Sequence, residues 1–245
     1  MAASLRVIVL QHIACEHPGI FRQFMKEDGI QWDPIELDEG ETIPDLAPYD
    51  AMVSMGGPMD VWQEDEFPWL VREKEAIHEA VRVRNMPFLG VCLGHQLLAE
   101  AAGGSVGLAD TPEVGMLDVE LTPDATDHPL MYSLPGKFKT LQWHGAEVKS
   151  IPDDASVLMS SPVCPIQSFA VGQSALGIQF HVETGPHTID EWNAVPEYEV
   201  ALRKTFGDNG AVELKKKAEE YETELSATAD ILYRNWANTL LKANK

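Results

Sequence analysis

Cysteine is scarce in this chain: its 245 residues include three, Cys15, Cys92 and Cys164, at wide and irregular spacing. An odd number of distant cysteines indicates neither a disulfide framework nor a zinc-binding motif. Basic residues are also few, since 18 Lys and Arg stand against 39 Asp and Glu and leave a net charge of -21. So acidic a chain lacks the basic patches that nucleic acids and anionic membrane surfaces require, and we expect neither as a partner.

Long apolar runs are missing as well. The N-terminal run Leu5–Leu10 is too short for a membrane span and contains Arg6. We therefore expect neither a span nor a signal peptide, and we expect a cytoplasmic protein. Glycine loops of the Walker or dinucleotide-binding type do not occur either, which argues against a nucleotide-binding domain.

Short apolar strands alternate with helical segments through the first hundred residues. We predict strands at 5–10, 32–37, 51–55 and 88–91, and helices at 18–28, 68–84 and 93–102. This alternation indicates βαβ units and a doubly wound α/β fold, in which a mostly parallel sheet is covered by helices on both faces. Active sites of such folds form at the carboxyl ends of the strands.

The pattern changes after Gly115. Short strands are predicted at 117–121, 138–143, 155–159, 166–171 and 175–180, and we interpret them as a partly antiparallel section that completes the sheet. Two helices are predicted next, at 185–206 and 212–241. Apolar residues recur along the second at spacings of three and four and predict a core-facing stripe: Leu214, Ala218, Tyr221, Leu225, Ala229, Leu232, Trp236 and Leu240.

The domain organisation follows from these patterns. We predict one α/β domain over residues 1–190 and a helical extension over 191–245 that packs on the same domain. A role for the extension in homodimer formation or in binding a partner stays open.

The run Phe88-Leu89-Gly90-Val91-Cys92-Leu93-Gly94-His95-Gln96 places a cysteine between glycines, where a predicted strand meets a predicted helix. Glycines tolerate unusual backbone angles and remove side-chain bulk, so they suit a sharp turn at this point. The free N–H groups and positive end of the helix would stabilise a thiolate on Cys92. A buried structural cysteine is the alternative. The histidine and acid described next favour the nucleophile.

His181 and Glu183 end the apolar run Leu176-Gly177-Ile178-Gln179-Phe180-His181-Val182-Glu183. Residues i and i+2 of an extended segment point to the same side, so the carboxylate can accept the imidazole N–H and fix its tautomer. Cysteine, histidine and an orienting carboxylate form the activated nucleophile used in acyl transfer. By itself, His-x-Glu is also compatible with a solvated strand end.

A third segment, Ala51–Met59, runs from a strand into Gly56-Gly57-Pro58. Its glycines leave backbone N–H groups unshielded, as an oxyanion requires, although the same tripeptide is also an ordinary turn signal. Three other candidates lie close together after the first strand: His12, Cys15 and His17. They lack a fourth metal ligand and regular spacing, so we interpret them as loop residues near the pocket rim. His95 shares a helix with Cys92, and we assign it to packing or to supporting the residues that contact the substrate.

In these motifs the chain resembles the class I (triad) glutamine amidotransferases, and among them stand-alone proteins similar to the amidotransferase domain of GMP synthase. The matching segments occur in the family's order over residues 5–190: Gly56-Gly57-Pro58, Gly90–Gln96, Gln142-Trp143-His144-Gly145 and Gln179–Glu183. The resemblance implies a flavodoxin-like fold. Two positions depart from the family pattern, because Val182 stands where proline is usual and Ala146 where an acidic residue is common.

The resemblance also implies a role for each matching residue. Cys92 would be the nucleophile, His181 the acid and base, and Glu183 its orienting group. Backbone N–H groups of Gly57 and Leu93 would form the oxyanion hole. The glutamyl amino and carboxylate groups would be held by the remaining matches: Gly56, Gln96, Trp143, His144 and Gly145.

The implied reaction is hydrolysis of the γ-amide of glutamine, or of a γ-glutamyl compound, through a γ-glutamyl thioester. It requires no metal ion or organic cofactor, and its substrate is a small molecule. Three readings stay open: a hydrolase that acts alone, a glutaminase subunit that donates ammonia to a separate synthase, and a non-catalytic regulatory or binding protein.

Overall fold

A nine-stranded sheet forms the centre of the molecule in the computed structural model, which describes residues 5–243. In chain order its strands are β1 (Arg6–Gln11), β2 (Gln31–Glu36), β3 (Ala51–Ser54), β4 (Phe88–Val91), β5 (Ser105–Leu121), β6 (Lys137–Ser150), β7 (Ala155–Ser160), β8 (Ser168–Val171) and β9 (Ala175–Ile178). The α-helices of the described residues are α1 (Phe21–Glu27), α2 (Trp69–His78), α3 (Leu93–Ala102), α4 (Thr188–Trp192), α5 (Pro196–Phe206), α6 (Gly210–Glu220) and α7 (Glu222–Ala243).

The sheet has a parallel part and an antiparallel part. Its strand order is β2-β1-β3-β4-β9-β8-β7-β5-β6, and the pairs from β2 to β9 are parallel. The pairs from β9 to β6 are antiparallel. Because β9 pairs with β4, the residues that follow these two strands emerge next to each other at one edge of the sheet. The predicted mostly parallel α/β sheet is confirmed, with its antiparallel section.

Both faces of the sheet are buried, as a doubly wound fold requires. Along β1, Val7 and Val9 belong to one core and Ile8 and Leu10 to the other, following the two-residue period of a strand. The first core contains residues of α1 and α4–α7, and the second contains residues of α2 and α3. Each fully buried aliphatic side chain contributes about 1.5–3 kcal/mol to this packing.

Helix boundaries differ from the prediction in the C-terminal part. The predictions of one continuous helix at 185–206 and another at 212–241 are wrong, because each region contains two helices. Pro196 begins α5 as its first residue, and the chain bends at Tyr221 between α6 and α7. The predicted apolar stripe still faces the core. Its buried members lie on both α6 and α7: Leu214, Leu225, Ala229, Leu232, Trp236 and Leu240.

Two boundaries near the N-terminal half also differ. The first helix begins at Phe21 rather than at the predicted Pro18-Gly19, because Gly19 has a left-handed φ of +48°. The helix predicted at 68–84 is α-helical over Trp69–His78 and continues as a π-helix over Glu79–Val83. In contrast, β4 and α3 begin and end where the sequence predicts. No helix among the described residues is long and apolar enough to cross a membrane.

Candidate active site

Cys92 occupies a strained turn between β4 and α3. Its φ of 51° and ψ of -102° are unusual for a residue with a side chain. The turn is this tight because its glycines touch other backbone atoms. A Cβ on Gly94 would lie 2.1 Å from the Ser54 carbonyl oxygen, and one on Gly90 would lie 2.4 Å from the Gly94 carbonyl oxygen. The sharp turn predicted from the glycines is therefore present at Cys92.

His181 and Glu183 lie together beside this turn. The His181 Nδ1 atom is 2.6 Å from Glu183 Oε1, and the other carboxylate oxygen accepts the Val182 N–H at 3.0 Å. The backbone of His181 pairs with Leu141 of β6 through hydrogen bonds of 2.8 and 3.1 Å. These contacts fix the imidazole, whose Nε2 atom is left for other partners.

The Cys92 thiol lies near enough to the imidazole of His181 to affect its pKa. Burial lowers the pKa of His181, but the Glu183 carboxylate and the thiol oppose this effect and hold that pKa well above its ordinary value. The indole of Trp192 packs edge-on against the imidazole at a centroid distance of 4.5 Å. The structure thus brings the three predicted triad residues into one buried cluster.

The other two thiols differ from Cys92 in their surroundings. Burial and Glu16 raise the pKa of Cys15 to about 11. Burial and Glu113 raise the pKa of Cys164 to about 12. Both therefore stay protonated near neutral pH, although the Cys164 sulfur lies within 4.8 Å of a ring nitrogen of His144.

A cavity of about 510 Å³ opens above Cys92. Most of the predicted oxyanion and substrate residues line it: Gly57, Leu93, Gln96, Trp143, His144 and Gly145. Within the described residues, the N–H groups of Gly57 and Leu93 donate to no protein acceptor, so both are free to bind a ligand. Gly56 does not line the cavity and lies instead against the Glu16 carboxylate.

Two glutamines connect the cavity floor, which is formed by Gln96 and Trp143–Gly145, to the Cys92 sulfur. Gln96 donates to the Ala146 carbonyl at 3.2 Å and to Gln179 Oε1 at 3.1 Å. Gln179 in turn donates to the Cys92 sulfur at 3.7 Å. The part of β6 around His144 is fixed by hydrogen bonds of the His144 ring to the Ala146 carbonyl and to Glu113, at 2.9 and 3.2 Å.

The outer wall of the cavity comes from α5, which sequence reasoning did not connect to the site. Its contribution is a mixed surface of apolar, charged and hydroxyl groups: Glu197, Tyr198, Val200, Ala201, Lys204 and Thr205. A second cavity, of about 450 Å³ between residues 41–46 and α2, contains none of the predicted site residues.

Glu16 is a further residue that the sequence did not indicate. It is 2 % exposed, and one of its oxygens lies within 4.8 Å of ligand atoms of both His181 and Glu183. Its Oε1 atom accepts the Tyr198 hydroxyl at 2.6 Å, whereas no hydrogen-bond donor among the described residues reaches Oε2. Burial raises the pKa of Glu16, although His181 opposes this. A glutamate after the first strand was visible in the sequence, but nothing there linked it to Tyr198.

The interpretation of His12 as a rim residue is wrong. Its side chain is fully buried and forms hydrogen bonds with Gly56 and Glu73. Cys15 and His17 are partly exposed, and the three side chains do not form a ligand group. His95 is buried on α3 with its ring against Phe169 at 5.0 Å, a packing position, and burial lowers its pKa to about 3.

Two buried groups among the described residues have metal-ligand composition, Glu16-His181-Glu183 and Glu113-His144-Cys164. In the first, the histidine is already bonded to Glu183. In the second, Glu113 accepts hydrogen bonds from Ser161 and Gln167 at 2.9 and 2.6 Å. The Glu113 carboxylate of the second group is therefore already bound by hydrogen-bond donors of the protein.

The fold is a doubly wound α/β sheet with a cysteine at a strained strand–helix turn, beside a carboxylate-bound histidine. Residues 20–192 match the family model "Glutamine amidotransferase class-I". The chain belongs to the class-I glutamine amidotransferase family.

Individual relatives agree with this assignment. The glutamine amidotransferase-like protein YfeJ of Salmonella typhimurium is 31% identical over 185 residues, which cover 73% of this chain and 76% of YfeJ. A subunit of the glutamine-hydrolyzing GMP synthase of Methanobrevibacter smithii is 33% identical over 133 residues, covering 53% and 67%. Gamma-glutamyl peptidase 3 of Arabidopsis thaliana is 29% identical over 175 residues, covering 67% and 69%.

A solved structure extends the similarity over the whole fold. The glutamine amidotransferase of Thermotoga maritima superposes with a TM-score of 0.84 at 28% identity, covering 97% of this chain and 99% of that one. The predicted flavodoxin-like amidotransferase fold is confirmed. The family model ends at residue 192, so α5–α7 lie beyond it.

Proposed function

We propose that this protein hydrolyses the γ-amide bond of a γ-glutamyl amide through a thioester on Cys92. The thiolate adds to the δ-carbonyl carbon, and His181 protonates the nitrogen as the C–N bond breaks. Ammonia or an amine leaves. His181 then removes a proton from water, the hydroxide adds to the thioester carbonyl, and the thiolate leaves as glutamate forms. Cys92 and His181 thereby return to their starting protonation states.

The observation that carries this proposal is the buried pair of His181 and Glu183 beside Cys92, which itself lines the cavity. Glu183 fixes Nδ1 of the imidazole, which leaves Nε2 for the thiol and then for the departing nitrogen. The raised pKa of His181 favours the imidazolium that must protonate the leaving group. Gly57 and Leu93 supply two free N–H groups for the oxyanion in the same cavity.

Recognition of the glutamyl end is assigned to the cavity floor. The side chain of Gln96 and the backbone of Trp143-His144-Gly145 would bind the α-amino and α-carboxylate groups. These residues line the cavity, and hydrogen bonds to Ala146, Gln179 and Glu113 hold them in place. Prearranged polar groups of this kind orient a substrate at low entropic cost.

The cavity also favours a substrate larger than glutamine. Its volume of about 510 Å³ falls within the range that holds drug-sized ligands, which glutamine alone would not fill. The wall from α5 leaves space for an amine group beyond the scissile bond. We therefore infer a hydrolase that acts alone on γ-glutamyl amines or peptides. The Arabidopsis relative is named a gamma-glutamyl peptidase, which supports a γ-glutamyl peptide as substrate.

A second candidate is a glutaminase subunit that passes ammonia to a separate synthase. The relative named as a subunit of GMP synthase favours this reading. Such a protein should turn over glutamine slowly until its partner binds, because idle hydrolysis wastes glutamine. A third, non-catalytic reading predicts no turnover under any condition.

Steady-state kinetics on the isolated protein decide between these readings. We expect kcat/KM to be higher for γ-glutamyl amines than for glutamine, and we expect Cys92→Ala to abolish turnover of both. Cys164→Ala, which alters a buried thiol outside the triad, is the matched control and should stay active. Full activity of Cys92→Ala would overturn the mechanism. Turnover that appears only after a synthase is added would replace the independent hydrolase by the ammonia-donating glutaminase.

A further inference from the structure

A buried network lies directly behind the Gly56-Gly57 loop. His12 follows β1, Ser54 ends β3 and Glu73 lies on α2, and the side chains of all three have no exposure to solvent. His12 Nδ1 is 2.8 Å from the Gly56 carbonyl oxygen, and Nε2 is 2.9 and 3.0 Å from the two Glu73 oxygens. Ser54 donates to Glu73 Oε1 at 2.8 Å. The indole of Trp69 stacks on the imidazole at 5.3 Å.

The partners of His12 fix its hydrogens. A carbonyl oxygen can only accept, so Nδ1 must carry a proton, and a carboxylate can only accept, so Nε2 must carry one as well. His12 is thus an imidazolium paired with Glu73. Burial alone would lower the pKa of His12, but Glu73 and the Gly56 carbonyl outweigh it and raise that pKa.

The Gly56 carbonyl belongs to the same peptide unit as the Gly57 N–H. In a trans peptide these two groups point in opposite directions, and no cis peptide occurs among the described residues. Because the carbonyl points toward His12, the N–H points away from it. Gly57 lines the cavity together with Cys92 and Leu93, and its N–H has no acceptor within residues 5–243.

We propose that His12 and Glu73 are positioning residues that lock and polarise the Gly56–Gly57 peptide, so that the Gly57 N–H stabilises the oxyanion formed at Cys92. A charged donor on the carbonyl strengthens the N–H of the same peptide as a donor, since hydrogen bonds in a chain polarise one another. This inference rests on the proposed hydrolysis at Cys92. It assigns transition-state stabilisation to residues that do not touch the substrate.

The role predicts an effect on kcat more than on KM, because the oxyanion exists only after the thiolate has added. Loss of one oxyanion donor lowers kcat by about a hundred- to a thousandfold in other enzymes. For His12→Ala, which frees the peptide without removing the N–H, we expect a loss of kcat of about ten- to a hundredfold. KM for the same substrate should change by less than about threefold.

His12→Ala leaves Glu73 without its partner and therefore can fail to fold. Two further variants test the proposal in that case. In Glu73→Gln, the neutral amide keeps a partner for the ring but removes the charge. In the double variant His12→Asn/Glu73→Gln, the asparagine amide can donate to the Gly56 carbonyl. We expect the double variant to regain activity to within about tenfold of wild type, because the peptide is held again.

The ratio of two labelling rates of Cys92, one with a chloroketone and one with iodoacetamide, separates a loss of positioning from a general loss of structure. Addition of Cys92 to a chloroketone analogue of glutamine forms an oxyanion, whereas its alkylation by iodoacetamide does not. The variants without the His12 hydrogen bond should react more slowly with the chloroketone and at the wild-type rate with iodoacetamide. His78→Ala is the control, since His78 also bonds a backbone carbonyl, that of Ala101 at 2.9 Å, but lies outside the cavity.

The outcomes are distinct. Wild-type rates of turnover and chloroketone labelling in a folded His12→Ala protein, or equal losses with both reagents, would overturn the positioning role. Absence of turnover in the wild type, with every γ-glutamyl substrate, would instead overturn the proposed function. The labelling ratio still tests His12 in that case, because it depends on Cys92 and the peptide alone.

Discussion

Gly19 packs against the backbone of Glu183 so closely that a Cβ atom at position 19 would lie 1.6 Å from the Glu183 carbonyl oxygen. The same carbonyl accepts the N–H of Ile20 at 2.8 Å. The turn that precedes α1 is thereby joined to the residue that orients His181. Gly19 also has a φ of +48°, in the left-handed region that favours glycine.

Replacement of Gly19 by alanine should therefore displace Glu183. We expect Gly19→Ala to lower the free energy of unfolding by about 1–3 kcal/mol, because a strained backbone and a steric clash are both introduced. A shift of Glu183 by even a fraction of an ångström should also reduce kcat. Urea denaturation and steady-state kinetics measure the two effects. Gly185→Ala is the matched control, since a Cβ there would meet no atom within 4 Å. If Gly19→Ala and Gly185→Ala had the same free energy of unfolding and the same kcat, the close packing of Gly19 against Glu183 would have no effect on either.

Glu183→Gln tests the orienting carboxylate itself. The amide keeps the shape of the side chain but removes the charge that stabilises the His181 imidazolium, and it replaces one of the two acceptor oxygens by an NH2 donor. By analogy with measured triads, we expect kcat to fall by about two to four orders of magnitude while the fold is retained. His181→Ala should be at least as damaging. The exposed Glu191 on α4 provides the control, because Glu191→Gln changes the same charge without touching the imidazole. A silent Glu183→Gln would require another orienting group.

The sequence predicted those parts of the site that are encoded locally. Cys92 with its glycines and His181 with Glu183 each lie within a few residues of chain, and strand periodicity is enough to align them. Their proximity to each other followed from the expectation that both strands end at one edge of a parallel sheet, which the pairing of β4 with β9 provides.

The parts that were missed depend on distant pairs. Tyr198 reaches Glu16 across 182 residues of chain, and Glu73 reaches His12 across 61. No local pattern marks either pair, because burial of a carboxylate is decided by the elements that close over it. Pro196 is a local break signal that the sequence shows, whereas the helix break at Tyr221 was hidden. The apolar spacing of three and four continues through Tyr221, so it could not show that the axis changes there.

The wall formed by α5 leads to a prediction about substrate size. Val200 lines the outer part of the cavity and is 63% exposed, so a larger side chain can be accommodated at this position without disturbing the core. We expect Val200→Trp to raise KM for γ-glutamyl amides with bulky amines by about tenfold and to leave glutamine hydrolysis nearly unchanged. Val212→Trp on α6 is the control, as Val212 is 72% exposed and does not line the cavity. If Val200→Trp impaired hydrolysis of glutamine and of the bulky γ-glutamyl amides equally, the amine group would not lie beside Val200.

The buried carboxyl of Glu16 should make stability depend on pH. Its pKa is raised by burial above the ordinary value of 4.5, so the folded protein holds this proton more tightly than the unfolded chain does. The neutral carboxyl therefore adds stability that is fully present below pH 4.5 and is lost as the pH rises through the folded-state pKa. Each tenfold difference in proton affinity corresponds to about 1.4 kcal/mol.

Glu16→Gln replaces this group by a permanently neutral one that can still accept the Tyr198 hydroxyl. We expect the free energy of unfolding of the variant, relative to wild type, to increase with pH from 4.5 upward and then to level off. Urea denaturation of both proteins from pH 4.5 upward measures that difference, and the exposed Glu219→Gln is measured alongside as a control. A constant difference for Glu16→Gln would mean that the carboxyl titrates alike in the folded and unfolded states. A difference that falls with pH would mean that Glu16 is instead held as an anion by His181.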